Sequence, residues 1–176
     1  MKNIILFILL STPFFSSFAQ IKIGAKLGYG SEIESLGLGA KGTYDINDQF
    51  RGSAELMYFF GNTTETSVPA TLFSQALDSK TTVSQFNINT DVHYLFSVNN
   101  SAFLPYALGG LNFSVVRTSM ETGQLNSDSS DTFIGLNLGA GGTYQLNDQL
   151  DLFSELKYII NDFDQLVFSV GILYYL

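Results

Sequence analysis

Residues 35–61 read SLGLGAKGTYDINDQFRGSAELMYFFG, and residues 135–161 read GLNLGAGGTYQLNDQLDLFSELKYIIN. In the first stretch Leu36, Leu38, Ala40, Gly42, Tyr44 and Ile46 occupy alternate positions, followed by Phe50, Gly52, Ala54, Leu56, Tyr58 and Phe60. A period of two places these on one face of a strand and Lys41, Asp45, Arg51 and Glu55 on the other. Asn47-Asp48-Gln49 between the runs is a turn, so the stretch is a hairpin. The second stretch aligns to the first without gaps, with Leu36, Gly39, Thr43, Tyr44, Asn47, Asp48, Gln49, Glu55 and Tyr58 among the identities. Two hairpins under the same constraints, or a duplicated hairpin, explain such a repeat.

The alternation extends over the chain. Ile21, Ile23, Ala25, Leu27 and Tyr29 share a face, as do Phe86, Ile88, Thr90, Val92, Tyr94 and Phe96, and again Leu166, Phe168, Val170, Ile172, Tyr174 and Leu176. Residues 103–117 complete eight strands but change phase. Leu104, Tyr106 and Leu108 lie in one register and Leu111, Phe113 and Val115 in the other. A β-bulge at Gly109-Gly110 would reconcile them and point Arg117 outward; without it Arg117 would point inward. Short connections at 47–49, 97–102 and 147–149 alternate with longer polar ones at 61–80 and 119–130, and with brief ones at 31–34 and 161–164. The expected fold is all-β, an eight-stranded antiparallel up-and-down barrel.

Composition narrows the function. The 176 residues carry a net charge of −8 with no Cys and one His, which leaves no thiolate metal site and no His/Cys cluster for zinc. No metal and no cofactor are expected. Scattered Lys and Arg on an acidic chain argue against nucleic acid as a partner. The first residues, MKNIILFILLSTPFFSSFAQ, join a positive n-region, an apolar run and Ser17-Phe18-Ala19 before Gln20. That is a secretory signal over 1–19 with cleavage between Ala19 and Gln20, leaving 20–176 as the barrel domain.

Alternation alone does not say which face meets the core. The polar-phase set is rich in Gly and Ser (Gly24, Gly28, Gly39, Ser53, Gly141, Ser169, Gly171), which suits a narrow lumen better than a soluble surface. A soluble lipocalin-like binder, apolar inside, is therefore disfavoured. Tyr44, Phe50, Tyr94, Phe96, Tyr106, Tyr144 and Tyr174 fall near the short turns. Tyr29, Tyr58, Phe60, Tyr158 and Phe133 fall near the long loops, so two aromatic belts flank an aliphatic band, as a bilayer selects.

Ser169-x-Gly171-x-x-Tyr174-x-Leu176 resembles the C-terminal signal read by the outer-membrane barrel assembly machinery, although the usual last residue is aromatic and here it is Leu. With the export signal and eight strands, residues 21–176 resemble the small outer-membrane β-barrel proteins: the OmpA transmembrane domain, OmpX, and the PorT-like "outer membrane protein beta-barrel domain" families. The resemblance implies the outer membrane of a Gram-negative cell after Sec-type export, with both termini periplasmic. It also implies contact with outer-membrane lipid and lipopolysaccharide. A monomer is expected, with no periplasmic domain following.

Five inward cations, Lys22, Lys26, Lys41, Arg51 and Lys157, meet five inward carboxylates, Asp45, Glu55, Asp91, Asp151 and Glu155. A three-residue turn at 47–49 sets Asp45 opposite Arg51 and Lys41 opposite Glu55. Glu155 is expected to face Gly141 and Gly171 and to reach Lys26 or Lys157 across the lumen. Interior space is scarce and buried charges need partners, so a salt-bridged plug is favoured over a gated, porin-like conduit for small solutes. A lipid A-modifying enzyme would need a Ser/His/carboxylate set near the outer rim. His93 instead lies inward near the short turns beside Asp91, where it reads as a network residue, and no catalytic residue is assigned.

The long loops carry nine carboxylates, including Glu32, Glu65, Glu121, Asp128 and Asp162, against Lys80. They form a solvated acidic rim, with divalent bridging to lipopolysaccharide as the sharper reading. The Thr/Ser-rich loop 61–80, with Leu72-Phe73 at its tip, is the segment expected to meet an extracellular partner. The function expected is a structural or surface-interaction protein, with a small-solute channel as the alternative.

Overall fold

The computed structural model describes residues 21–68, 77–98, 101–122 and 125–176. The expected export signal, its expected cleavage site at Ala19 and Gln20, and the Leu72-Phe73 tip lie outside them. The described residues form eight strands, β1 (Ile21–Gly30), β2 (Ser35–Asp45), β3 (Phe50–Val68), β4 (Leu77–Leu95), β5 (Phe103–Thr122), β6 (Leu125–Asn147), β7 (Leu150–Ile160) and β8 (Gln165–Tyr175). Each pairs antiparallel with the next, and β8 returns to β1 from Lys22↔Tyr175 to Gly30↔Val167, closing the barrel. Closure leaves no edge within the band.

Turn chemistry sets the registers at the short-turn end. The Asn47 side-chain oxygen accepts the Gln49 and Phe50 amides at 2.9 Å each, and Asn147 does the same for Gln149. An Asn that bonds its own backbone two residues on fixes a tight turn, and this is why the repeated Asn-Asp-Gln recurs. The resulting register pairs Asp45 with Arg51 and Lys41 with Glu55, as the turn length requires.

Burial is inverted relative to a soluble protein. Leu36 is 64% exposed and Ile134 74%, whereas Lys41 and Glu55 are each 2% exposed. A chain that hides lysines and displays leucines is stable only where the surroundings are apolar. Phe50, Tyr94, Phe96, Phe103, Tyr144 and Tyr174 ring the short-turn end, and Tyr29, Tyr58, Phe60 and Tyr158 the other.

Three expectations are corrected. The pairing of β5 with β4 and β6 runs without a shift through Gly109 and Gly110, so there is no bulge there. The phase changes because the inner wall itself becomes apolar: Tyr106 and Leu108 are buried inside, and Leu111, Phe113 and Arg117 face outward from the same straight strand. Tyr106 is accordingly not a belt residue. Register shifts occur instead between Phe59 and Asn62 and between Gln145 and Asn147. Much of the expected loop 61–80 is strand, with Asn62↔Val83 through Val68↔Leu77 paired, and β5–β6 pair up to Thr122↔Leu125. Threonine and serine on both faces hide the apolar alternation there, while β-branched Thr suits a strand.

Candidate functional site

The lumen is built of layers, each set by register. At mid-barrel, glycines make room for long side chains: Lys26 lies between Gly39 and Gly171, Lys41 beside Gly24, Asp91 beside Gly110, Lys157 beside Gly139 and Glu155 beside Gly141. Into that space six charges converge. Glu55 is the hub, receiving Lys26 at 2.6 Å, Lys41 at 2.9 Å and Lys157 at 2.9 Å. Lys157 also meets Asp91 at 2.6 Å, and Lys41 pairs with Glu155. Glu155 lies 3.8 Å from Lys26 and accepts the Tyr106 hydroxyl at 2.9 Å. Three lysines thus meet three carboxylates with no net charge.

A second neutral group closes the short-turn end. Lys22 lies 3.0 Å from Asp151 and 3.6 Å from Asp45, and Asp45 also holds Arg51. Arg51 donates to the Thr143 hydroxyl at 3.3 Å, and the Tyr175 hydroxyl donates to Asp151 at 3.0 Å. Lys22 sits 4.2 Å from the Tyr175 ring centre, a cation–π distance. All ten inward charges named from the sequence are therefore placed in the lumen and paired, in two groups rather than one. Glu155 lies opposite Gly141 as expected but opposite Ser169 rather than Gly171, because the β7–β8 register sets Phe153 against Gly171.

His93 is inward, but its partners are not Asp91. Its Nε2 lies 3.1 Å from the Ser53 hydroxyl, and its ring stacks on Tyr106 at 4.5 Å and 6°. His93 is 1% exposed, so this Ser–His contact has no open approach from solvent. Among the described residues no group of three or more His, Cys, Asp or Glu is arranged to hold a metal.

Toward the long hairpins the polar lining becomes amide. Asn137 donates to Asp91 at 2.7 Å and to Asn89 at 3.0 Å, and Asn112 donates to Asn89 at 2.8 Å. Beyond them Met57, Phe59, Ile159 and Val167 form an apolar layer, capped by Ile33 from the β1–β2 turn. That turn places Glu34 at a φ of 50°, and its Ile33 carbonyl accepts from Asn62 at 3.3 Å. The cavity between the charged and apolar layers, lined by Lys26, Glu55, Met57, Asn87 and Lys157 among others, measures about 10 Å³. That is room for about one water.

The amides, Tyr106, Tyr175 and the apolar layer are the lumen residues that charge counting missed. Asn87 and Asn89 carried a readable signal, since both sit in the inward phase of β4. The apolar layer was masked because 56–60, Leu-Met-Tyr-Phe-Phe, is apolar on both faces. Ser169 and Gly171 point into the lumen, while Tyr174 faces outward in the short-turn belt beside Leu176.

The family described as "Outer membrane protein beta-barrel domain" matches residues 10–175. No curated protein matches the sequence. Solved structures share the fold. A major outer membrane protein of Thermus thermophilus is 11% identical with a TM-score of 0.69, covering 91% of this chain and 100% of its own. The N-terminal β-barrel domain of Pseudomonas aeruginosa OprF is 14% identical with a TM-score of 0.62, covering 89% and 97%. Neisserial surface protein A is 20% identical with a TM-score of 0.59, covering 91% and 98%.

Proposed function

The chain belongs to the outer membrane protein beta-barrel domain family, and from that premise we propose that it is a closed, non-enzymatic barrel that acts at the cell surface through its long hairpins. The packing of the lumen carries this reading. Two charge-neutral ion-pair groups and an apolar layer lie in series along the axis, with about 10 Å³ of space between the central group and that layer. A hydrated ion would have to part buried salt bridges and the Met57–Phe59 layer to pass. Charged groups inside a narrow barrel are tolerated because each is paired, and the pairs fill the space a solute would need.

In this reading residues 1–19 direct Sec-type export, the short turns and both termini face the periplasm, and the barrel is a monomer bounded by lipid and lipopolysaccharide. The hairpin over 61–80 meets an extracellular partner. His93 is a structural network residue, since Ser53 and Tyr106 enclose it. Planar-bilayer recording tests the closed lumen: the wild-type protein is expected to insert without steady conductance. A steady, reproducible single-channel current would overturn the reading in favour of a small-solute channel.

The assembly machinery is the proposed reader of Ser169, Gly171, Tyr174 and Leu176. Tyr174 faces lipid, where losing the ring costs about 1–3 kcal/mol of burial. Tyr174→Ala is therefore expected to cut the amount assembled in cells several-fold while the barrel refolded in detergent stays folded. Tyr44→Ala, another ring of the same belt, is the control; equal losses from both would show that these positions carry no signal.

A further inference from the structure

Arg117 stands apart from every other described cation. Lys22, Lys26, Lys41, Arg51 and Lys157 are paired inside the lumen, and Lys80 lies 3.9 Å from Glu65. Arg117 is exposed on the outer wall, and among the described residues no carboxylate lies within ion-pairing distance of it. Its cross-strand neighbours are Ser84 on β4 and Ser130 on β6. These three residues form the first row on this wall that is polar throughout. The row below it is Phe86, Val115 and Thr132, and below that Ile88, Phe113 and Ile134, which carry the lipid-facing surface. The row above is Thr82, Ser119 and Asp128, followed by Lys80 and Glu121 opposite one another.

A guanidinium at the boundary between an apolar wall and an acidic rim thus has no ion partner among the described residues. Guanidinium presents a planar fork of donors that matches the oxygens of a phosphate, and flanking hydroxyls add donors. Acyl chains of the same molecule would lie on Phe86, Val115 and Phe113 directly below. We propose that Arg117, with the Ser84 and Ser130 hydroxyls, binds the phosphate of a lipid headgroup in the outer leaflet. The inference rests on the outer-membrane barrel reading and adds a specific lipid site to it. Rim carboxylates such as Asp128, one row above, would repel a phosphate anywhere higher, so the site is confined to this row.

Native mass spectrometry of the full chain purified from membranes tests the site, with diphosphoryl lipid A as the probe. Wild type is expected to retain one lipid, and Arg117→Gln to weaken retention about tenfold, the loss of one charge-assisted fork. Arg117→Lys should fall between, because it keeps the charge without the fork. The same lipid stripped of its phosphates should bind the wild type as weakly as the intact lipid binds Arg117→Gln. Millimolar inorganic phosphate should leave the adduct in place, since a free anion lacks the acyl contacts. Unchanged retention by Arg117→Gln, equal retention of the dephosphorylated lipid, or displacement by inorganic phosphate would each overturn the proposal. Arg117 makes no contact that closes the barrel, and heat-modifiable migration of each variant confirms folding. Failure of the wild type itself to show that migration would strike the barrel reading instead.

Discussion

Replacing Glu55 with alanine is expected to cost about 3–5 kcal/mol of barrel stability, the usual penalty for stranding buried charge by removing one partner. Glu55 is the hub on which Lys26, Lys41 and Lys157 converge. Without it three lysines share Glu155 and Asp91, and Lys26 is left with Glu155 at 3.8 Å as its remaining ion partner. One positive charge is then uncompensated at the centre of the lumen. Water must enter to solvate it, so the same variant should convert a silent barrel into one with measurable conductance. Denaturant titration followed by the heat-dependent gel shift measures the first effect, and bilayer recording the second. Asp45→Ala is the comparison: it strands Arg51, but the Asp45 side chain is 26% exposed at the short-turn end, where water already reaches the group. Lys22 keeps Asp151 at 3.0 Å and the central group is untouched, so no conductance should develop. A Glu55→Ala barrel as stable and silent as wild type would mean that the central charges do not hold the lumen shut.

The contrast between these sites shows which features a sequence discloses. The pairs Asp45–Arg51 and Lys41–Glu55 were legible because a three-residue turn fixes the register of its own hairpin. The bonds that matter most to Glu55 were not. Lys157 reaches it from β7 and Lys26 from β1, and which residues share a level across a barrel depends on the accumulated stagger of all eight strands. Phase was equally ambiguous for Tyr106 and Leu108. Alternation separates two faces without saying which is inside, and β5 turns its apolar set inward at one end and outward at the other. The outward direction of Arg117 follows from that switch and could not be read without it. The Thr/Ser stretches of β3 and β4 failed for another reason: strands polar on both faces carry no period for apolar residues to mark.

The glycines of the inner wall support the second large effect. Gly24 lies between Lys22 and Lys26 on β1, opposite Lys41 on one side and Leu173 across the closing seam on the other. A Cβ there would stand 1.7 Å from the Ile172 carbonyl oxygen and 2.8 Å from its carbon, both backbone atoms of β8. Backbone cannot rotate away as a side chain can, so a branched residue must push β1 from β8 along the seam that closes the barrel. Gly24→Val is expected to cost at least about 3 kcal/mol, the upper end for overpacking a filled interior, and to leave most of the protein at the unfolded position on an unheated gel after refolding. Gly42 is the control, next to Lys41 of the same lysine layer but turned to the outer wall. It borders an apolar groove of about 730 Å³ on the lipid-facing surface, and the nearest atom to its Cβ position is the Lys22 carbonyl oxygen at 4.0 Å. Valine there meets open space and gains strand propensity, so Gly42→Val should refold as completely as wild type. The two substitutions add the same atoms to strands that pair with each other, and the side of the wall that receives them decides the outcome. Equal refolding yields would mean that the β1–β8 seam yields enough to admit a side chain, and that the lumen is less tightly filled than its distances indicate.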